Sequence, residues 1–434
     1  MPSLKEAYAK YRTDGGLSLF ITSIQHFLSV IYKRLNTTLI FPVIMFLSSR
    51  FSPKPGLVLF HNMLGYRGNS PHVYQWFLQQ ESGTITPVWV THRLTQYIRM
   101  KRDGKPVIYL YSPRGLYYFA TADLICYDTS GHYQYPDSST QFKLRHEIPV
   151  KRGSSIEKDP TDEPQSDASV ESAEKILNDQ IHSKKHILYP SEFLAASESD
   201  ESAQIAPFGF PRNDVLFTNQ ESESWEKFIQ GHSYDLVVLY APTVRQTSLE
   251  LFPFDDFTKT DLVELLHELN ALLLIRLHPN DRFIPAVTET MHEYPNLQQL
   301  IDELLATDYV KIADQTAFEE TIDLLPYVDV LISDYSSVYH TFLQLDRPLL
   351  FFPYDYEKYY QRSGFKYDYF ENLPGPAIDS FSEFESHLRS IASGEDQDQT
   401  KRHALRERLY DYDDGNSTER VGQYIMEISR VDQT

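Results

Sequence analysis

Two series of apolar strands alternating with helices, parted by a long acidic polar stretch, predict an α/β protein of two Rossmann-like domains facing a cleft. At 434 residues the chain exceeds one ordinary core, and its 41% hydrophobic share, with 30 Tyr and 26 Phe, supplies apolar surface for two.

The elements follow in order. Residues 1–54 read as a helical, membrane-proximal segment. "LSLFITSIQHFLSVIY" (Leu17 to Tyr32) and "LIFPVIMFL" (Leu39 to Leu47) are each too short to cross a bilayer. Around them stand Lys5, Lys10, Arg12, Lys33, Arg34, Arg50 and Lys54 against only Glu6 and Asp14, in a chain of formal charge −21. Apolar helices with basic flanks settle on anionic headgroups, and a helical hairpin packed on the first domain accounts for the same pattern; both readings stay open. The first residues lack a charged n-region leading to an apolar core and cleavage site, so a cytoplasmic location is expected, peripheral on the inner membrane face.

Residues 55–215 form the first expected domain: "GLVLF", a helix over Pro71 to Gln80, "TPVWVT", "PVIYL", a helix near Arg114 to Thr121, then "DLICYD". Ser154 to Ala203 carries twelve acidic residues and four lysines, and its first part, about 154–185, has the composition of a solvated, mobile insertion without chemistry. Residues 216–434 repeat the alternation through "DLVVLYAPT", "DLVELLHELNALLLIRLHP", "YVKIAD", "TIDLLPYVDVLISDYSS" and "PLLFFPYD". A helix near Phe381 to Ile391 and two more broken at Asp413 to Ser417 complete this domain.

Composition excludes several functions. A strongly acidic chain lacks the basic face that nucleic acid requires. The single cysteine, Cys126, excludes an internal disulfide and a Cys-rich zinc site, and lies in an apolar run that suits a buried inert thiol. G-x-S-x-G, P-loop, G-x-G-x-x-G and H-E-x-x-H are all absent from the sequence. No cofactor or metal is called for.

Candidate site residues cluster at strand ends. In "ISDYSS", Ser336 and Ser337 open a helix after a strand, where they either cap it or hold a phosphate. Asp334 in the same turn is grouped with them and read as orienting the backbone. His278 in "RLHP" and Thr243 and Arg245 in "YAPTVR" leave strands at the same sheet edge, with donors suited to an anion. "GFPRNDVLF" reads as a hinge turn between the halves. In "KLRHEIPVKR", His146 lies among Lys143, Arg145, Lys151 and Arg152, a place for a polyanion or headgroup, or simply a solvated charge run.

Taken in order, "GFPRNDVLF", "YAPTVR", "RLHP" and "DVLISDYSSVYHTFLQLDRPLLFFPYDYEKYYQRSGFKYDYFENLPGP" resemble the CDP-glycerol glycerophosphotransferase family, the teichoic acid primases and polymerases. The resemblance covers Gly209 to Pro376 and is weaker over Leu57 to Arg152. It implies a GT-B-like fold and transfer of glycerol phosphate, or another polyol phosphate, from a CDP-linked donor to a hydroxyl of a lipid-linked or polymeric acceptor, releasing CMP. It assigns His278, Ser336 and Ser337 to the donor phosphates, with Thr243 and Arg245 nearby, and His146 to the general base. Glu147 stands where the family has Gly, Arg145 where it usually has Trp, and His61-Asn62 where an acidic-aromatic pair is commoner. A nucleotide-sugar glycosyltransferase and a non-catalytic nucleotide- or polymer-binding member remain as alternatives.

Overall fold

The computed structural model describes residues 34–80, 83–129, 133–145, 147–148, 184–198, 203–218, 223–243, 251–277, 303–365 and 368–429. They divide into two compact units: one from the described residues up to Arg145, from Lys184 to Phe217 and from Tyr410 onward, the other from Glu147–Ile148 and from Thr218 to Leu409. The residues expected to form a solvated insertion lie almost wholly outside the described ones.

The first unit holds a seven-stranded sheet of β1 (Lys54–His61), β2 (Thr86–Thr91), β3 (Val107–Tyr109), β4 (Ala122–Tyr127), β5 (Thr140–Lys143), β6 (Lys185–Leu188) and β7 (Gln204–Ala206). Their order is β3-β2-β1-β4-β5-β6-β7, and every pair is parallel. A parallel sheet is covered on both faces, which is why β1 and β4 read as unbroken apolar runs. In register, Leu59 lies opposite Val88 on one side and Ile125 on the other. Cys126 is buried in β4, where desolvation pushes its thiol well above the ordinary value.

On one face of this sheet the helix Phe41–Ser48 delivers Phe41 and Ile44 into a cluster with Leu57, Leu59, Val90, Phe119 and Ile125. The described part of the N-terminal segment is thus an integral layer of the first unit; residues 1–33, and with them the first apolar stretch, lie outside the described residues.

The helix Asn69–Gln79 lies against the C-terminal helix Ser417–Ile428. Their approach is so close that a Cβ on Gly422 would sit 2.5 Å from the Trp76 ring, which no side chain tolerates. Asp214 caps that last helix, accepting from Ser417 N at 2.9 Å and Thr418 N at 2.7 Å. The tail therefore belongs to the first unit, not to the second as its sequence position suggests, because its partners are Trp76 and Asp214. "FGFPRNDVLF" ends at the boundary between the two units, as expected of a turn between the halves, and within it Pro211–Phe217 forms a 3-10 helix that holds the tail through Asp214.

The second unit holds β8 (Leu236–Tyr240), β9 (Ala271–Ile275), β10 (Val310–Ile312), β11 (Val330–Ser333) and β12 (Leu349–Phe351) in the parallel order β10-β9-β8-β11-β12. Val238, Tyr240, Leu273, Ile275, Val330 and Ile332 face Leu262, Leu265 and Leu266 of the helix Lys259–Glu268 and Phe381, Phe384 and Leu388 of the helix Phe381–Ala392. Thr258 and Ser380 cap those helices through their hydroxyls, as their N-cap positions favour. Among the described residues no helix is long and apolar enough to cross a membrane.

Candidate active site

In an open parallel sheet, strand order reverses at one point, and the loops leaving the two strands there part to form a crevice at their carboxyl ends. In the second unit that point lies between β8 and β11: the chain runs from β8 outward to β10, then returns to β11 and proceeds to β12. Thr243 follows β8, and Asp334 to Ser337 follow β11, so sequence-predicted residues from distant segments meet at one edge.

Asp334 is buried and joins the two loops. Its carboxylate accepts from Thr243 N at 2.9 and 3.0 Å, from Thr243 Oγ1 at 2.6 Å and from Tyr335 N at 2.5 Å. It therefore orients the turn, as its expected role in the backbone of this segment has it, and a carboxylate aimed at an anion would oppose binding. Thr243 in turn gives its amide and hydroxyl protons to Asp334 in this structure.

An aromatic bed supports the turn. Tyr335 stacks on Tyr359 at 4.1 Å between centroids and lies 5.5 Å from Phe365 and 5.3 Å from Tyr369. The Tyr369 hydroxyl donates to the Asp334 carbonyl at 3.1 Å. The Tyr-rich stretch after Asp355 thus packs beneath the turn, a role its composition alone did not reveal.

Ser336 and Ser337 remain half-buried at the crevice. The capping expectation fails for the side chain of Ser337: it stands at the start of Val338–Phe342, a helix of five residues, but makes no side-chain cap. Its hydroxyl donates instead to Glu147 Oε2.

Sequence reading missed Arg276, which leaves β9 two residues before His278. Its guanidinium is buried and donates to Thr321 Oγ1 at 2.9 Å, Ala313 O at 2.9 Å and Phe318 O at 3.0 Å. Desolvation lowers its pKa to about 10, so it stays charged and staples the loop after β10 to the exit of β9. A charged residue inside the apolar "LLLIRL" was the available signal.

In the first unit the equivalent point lies between β1 and β4. Asp128 follows β4, is buried, and accepts from Asn69 N at 2.7 Å and from Ser70 N at 3.2 Å. Gly68 has φ of +81° and a Cβ there would come 3.1 Å from Asp128 Oδ1, so glycine is required. Asn62 closes its own loop, donating to Arg67 O at 2.7 Å and accepting from Leu64 N at 2.9 Å. Asn69, also missed from sequence, donates to Leu144 O and Arg145 O at 2.9 Å each and accepts from Arg212 N at 3.0 Å. Arg145 sits at φ of +55°, with its guanidinium 4.7 Å above the Tyr189 ring. Lys143 ends β5. His146, His278, Arg245, Lys151 and Arg152 lie outside the described residues. Among the described residues no group of His, Cys, Asp and Glu converges as a metal site.

The family model for CDP-Glycerol:Poly(glycerophosphate) glycerophosphotransferase matches residues 44–427, nearly the whole of both units. The chain belongs to this family. Among curated relatives of this glycerophosphotransferase-family chain, the teichoic acid ribitol-phosphate polymerase TarL of Staphylococcus aureus is 27% identical over 256 residues, 56% of this chain and 41% of that protein. The teichoic acid glycerol-phosphate primase of Bacillus subtilis is 31% identical over 223 residues, 51% of each chain. The family member described here thus spans about half, or less, of the length of such relatives. The solved wall teichoic acid polymerase TagF shares its fold, with a TM-score of 0.65 at 20% identity over 95% of this chain and 98% of that one. Another solved form of that polymerase carries CDPG.

Proposed function

We propose that this chain moves glycerol phosphate, or another polyol phosphate such as ribitol phosphate, from a CDP-linked donor to a hydroxyl of a lipid-linked or polymeric acceptor, releasing CMP, in the synthesis of a teichoic-acid-like polymer. The reading rests above all on the second unit's switch point, where Asp334 and the tyrosine bed fix a turn that leaves Ser336 and Ser337 half-buried, on a chain of this family. The donor diphosphate is assigned to those hydroxyls, with His278 and Arg245 completing the cradle, and the first unit is assigned the acceptor.

In this chemistry the acceptor oxygen attacks the β-phosphorus, the bond from that phosphorus to the bridging oxygen breaks, and CMP leaves with the electron pair. His146 takes the proton of the attacking hydroxyl. Fixed donors at the phosphates stabilise the charge that develops on CMP, so positioning and electrostatics supply most of the acceleration. His278 is assigned to the leaving phosphate.

A membrane-peripheral site of action fits the first unit's surface. Leu39 and Phe46 are 54% and 58% exposed, with Arg50 lying 5.4 Å over the Phe46 ring. Leu94 and Ile98 are exposed on the helix Leu94–Arg102, whose last turn carries Arg99, Lys101 and Arg102. Tyr97, Tyr109 and Tyr111 link that helix ring by ring to Asn36, so the two exposed sets neighbour one another. Apolar side chains ringed by basic ones suit an anionic bilayer.

The test is a donor screen. Incubation with CDP-glycerol, CDP-ribitol and several nucleotide sugars is expected to release CMP from a CDP-polyol only. Release of a nucleotide from a sugar donor alone would replace this reading with a glycosyltransferase. His146→Ala and His278→Ala are each expected to lower turnover at least a hundredfold, and Phe46→Ser with Ile98→Ser, at two exposed positions, to move the protein from anionic-liposome pellet to supernatant.

A further inference from the structure

Ser337 has one hydroxyl proton, and it is already engaged. Glu147 Oε2, 190 residues earlier in the chain, accepts it. One residue on, the carbonyl of Ile148 lies 3.3 Å from Nδ1 of the buried His340. A carbonyl only accepts, so that contact holds His340 with its proton on Nδ1. Ile148 is itself buried, at 3% exposure. Glu147 and Ile148 thus form a short strap on the helix Val338–Phe342, fastened by a carboxylate at one residue and by a carbonyl and an apolar side chain at the next.

We propose that Glu147 competes with the donor's diphosphate for Ser337 and so sets the affinity of this chain for its CDP-polyol. The inference rests on the donor reading given above. A carboxylate oxygen and a phosphate oxygen are anionic acceptors of the same kind, and one proton cannot serve both. With Glu147 in place, an incoming diphosphate also meets a negative charge at the group meant to receive it. Donor binding therefore requires the Glu147 side chain to leave Ser337, and the His340 contact keeps Ile148 seated while it does.

Calorimetric titration of the full chain with CDP-glycerol and with CDP-ribitol tests this in five forms: unaltered, Glu147→Gly, Glu147→Gln, Ser337→Ala, and Glu147→Gly with Ser337→Ala. Losing a charged competitor for one hydrogen bond is expected to tighten donor binding about tenfold in Glu147→Gly and less in Glu147→Gln, whose amide oxygen still accepts. In the Ser337→Ala background the gain is expected to shrink to the part due to charge repulsion alone. Equal melting midpoints show that the variants are folded, and Glu147→Gln decides if the glycine loosens the strap. If the unaltered chain binds donor and neither Glu147 variant binds it more tightly, the inference fails and the donor reading stands. A gain of equal size with and without Ser337 also overturns it. If no form binds either CDP-polyol, the donor reading fails and this inference fails with it.

Discussion

Asp128 and Asp334 hold equivalent places in the two units. Each follows the strand after its sheet's reversal, each is buried, and each accepts backbone amides from the loop across that point, Asn69 and Ser70 in one case and Thr243 in the other. What surrounds them differs. In the first unit Asn62 and Asn69 are also buried and their amides are committed to backbone groups of the surrounding loops. In the second unit the crevice beside Asp334 ends in two half-buried hydroxyls. An acidic residue at a switch point is therefore a brace in both sheets, and the proposed donor site rests on the small hydroxylated residues beyond it.

The sharpest way to break this comparison is to remove the braces. Asp334→Ala leaves the Thr243 amide and hydroxyl and the Tyr335 amide buried without their acceptor, and is expected to cost about 3 kcal/mol in denaturant unfolding and to abolish measurable donor binding. Asp128→Ala is expected to destabilise by a similar amount while leaving donor affinity within about twofold. Loss of donor affinity in Asp128→Ala would end the distinction.

Packing around the braces gives the next effect. Gly422→Val pushes a branched side chain into Trp76 and is expected to lower stability by about 2 to 3 kcal/mol, again without changing donor affinity. Ser337→Ala separates function from fold in the opposite sense: stability within about 0.5 kcal/mol of the unaltered chain, with donor affinity several-fold weaker.

The smallest effect is one of pH. Burial lowers the His186 pKa from about 6.5 to about 4, and its Nδ1 lies 2.8 Å from the Tyr424 hydroxyl on the C-terminal helix. Below about 6.5 the unfolded chain takes up a proton that the folded chain refuses until about 4, so stability falls as pH drops through that window and is complete above it. His186→Gln is expected to flatten that part of the stability curve in thermal melts from pH 4 to pH 7. A slope unchanged by the substitution would show that other groups carry it.

Strand and helix positions were legible wherever burial on both faces enforces a long apolar run, as in "GLVLF", "DLICYD" and "LVVLY". The short strands β5, β6 and β7 on one side of the first sheet carry no such run and were missed. "ISDYSS" was legible as a site because Ser, Asp and Ser after an apolar strand are unusual in local terms. The partners of that turn were not: Thr243 reaches Asp334 across 91 residues and Glu147 reaches Ser337 across 190, and no periodicity encodes contacts at such separations. Tail placement failed for the same reason, since the Trp76–Gly422 and Asp214–Ser417 contacts depend on topology alone.

That tail also fixes an order of events during synthesis. Residues from Thr218 to Leu409 emerge from the ribosome as one uninterrupted stretch and supply nearly all of the second unit, whereas the first unit lacks the helix Ser417–Ile428 until that whole stretch has been made. The unit that is begun before the other is thus completed after it. Until then the Trp76 side of Asn69–Gln79 stays uncovered, a surface for which chaperones compete on the nascent chain.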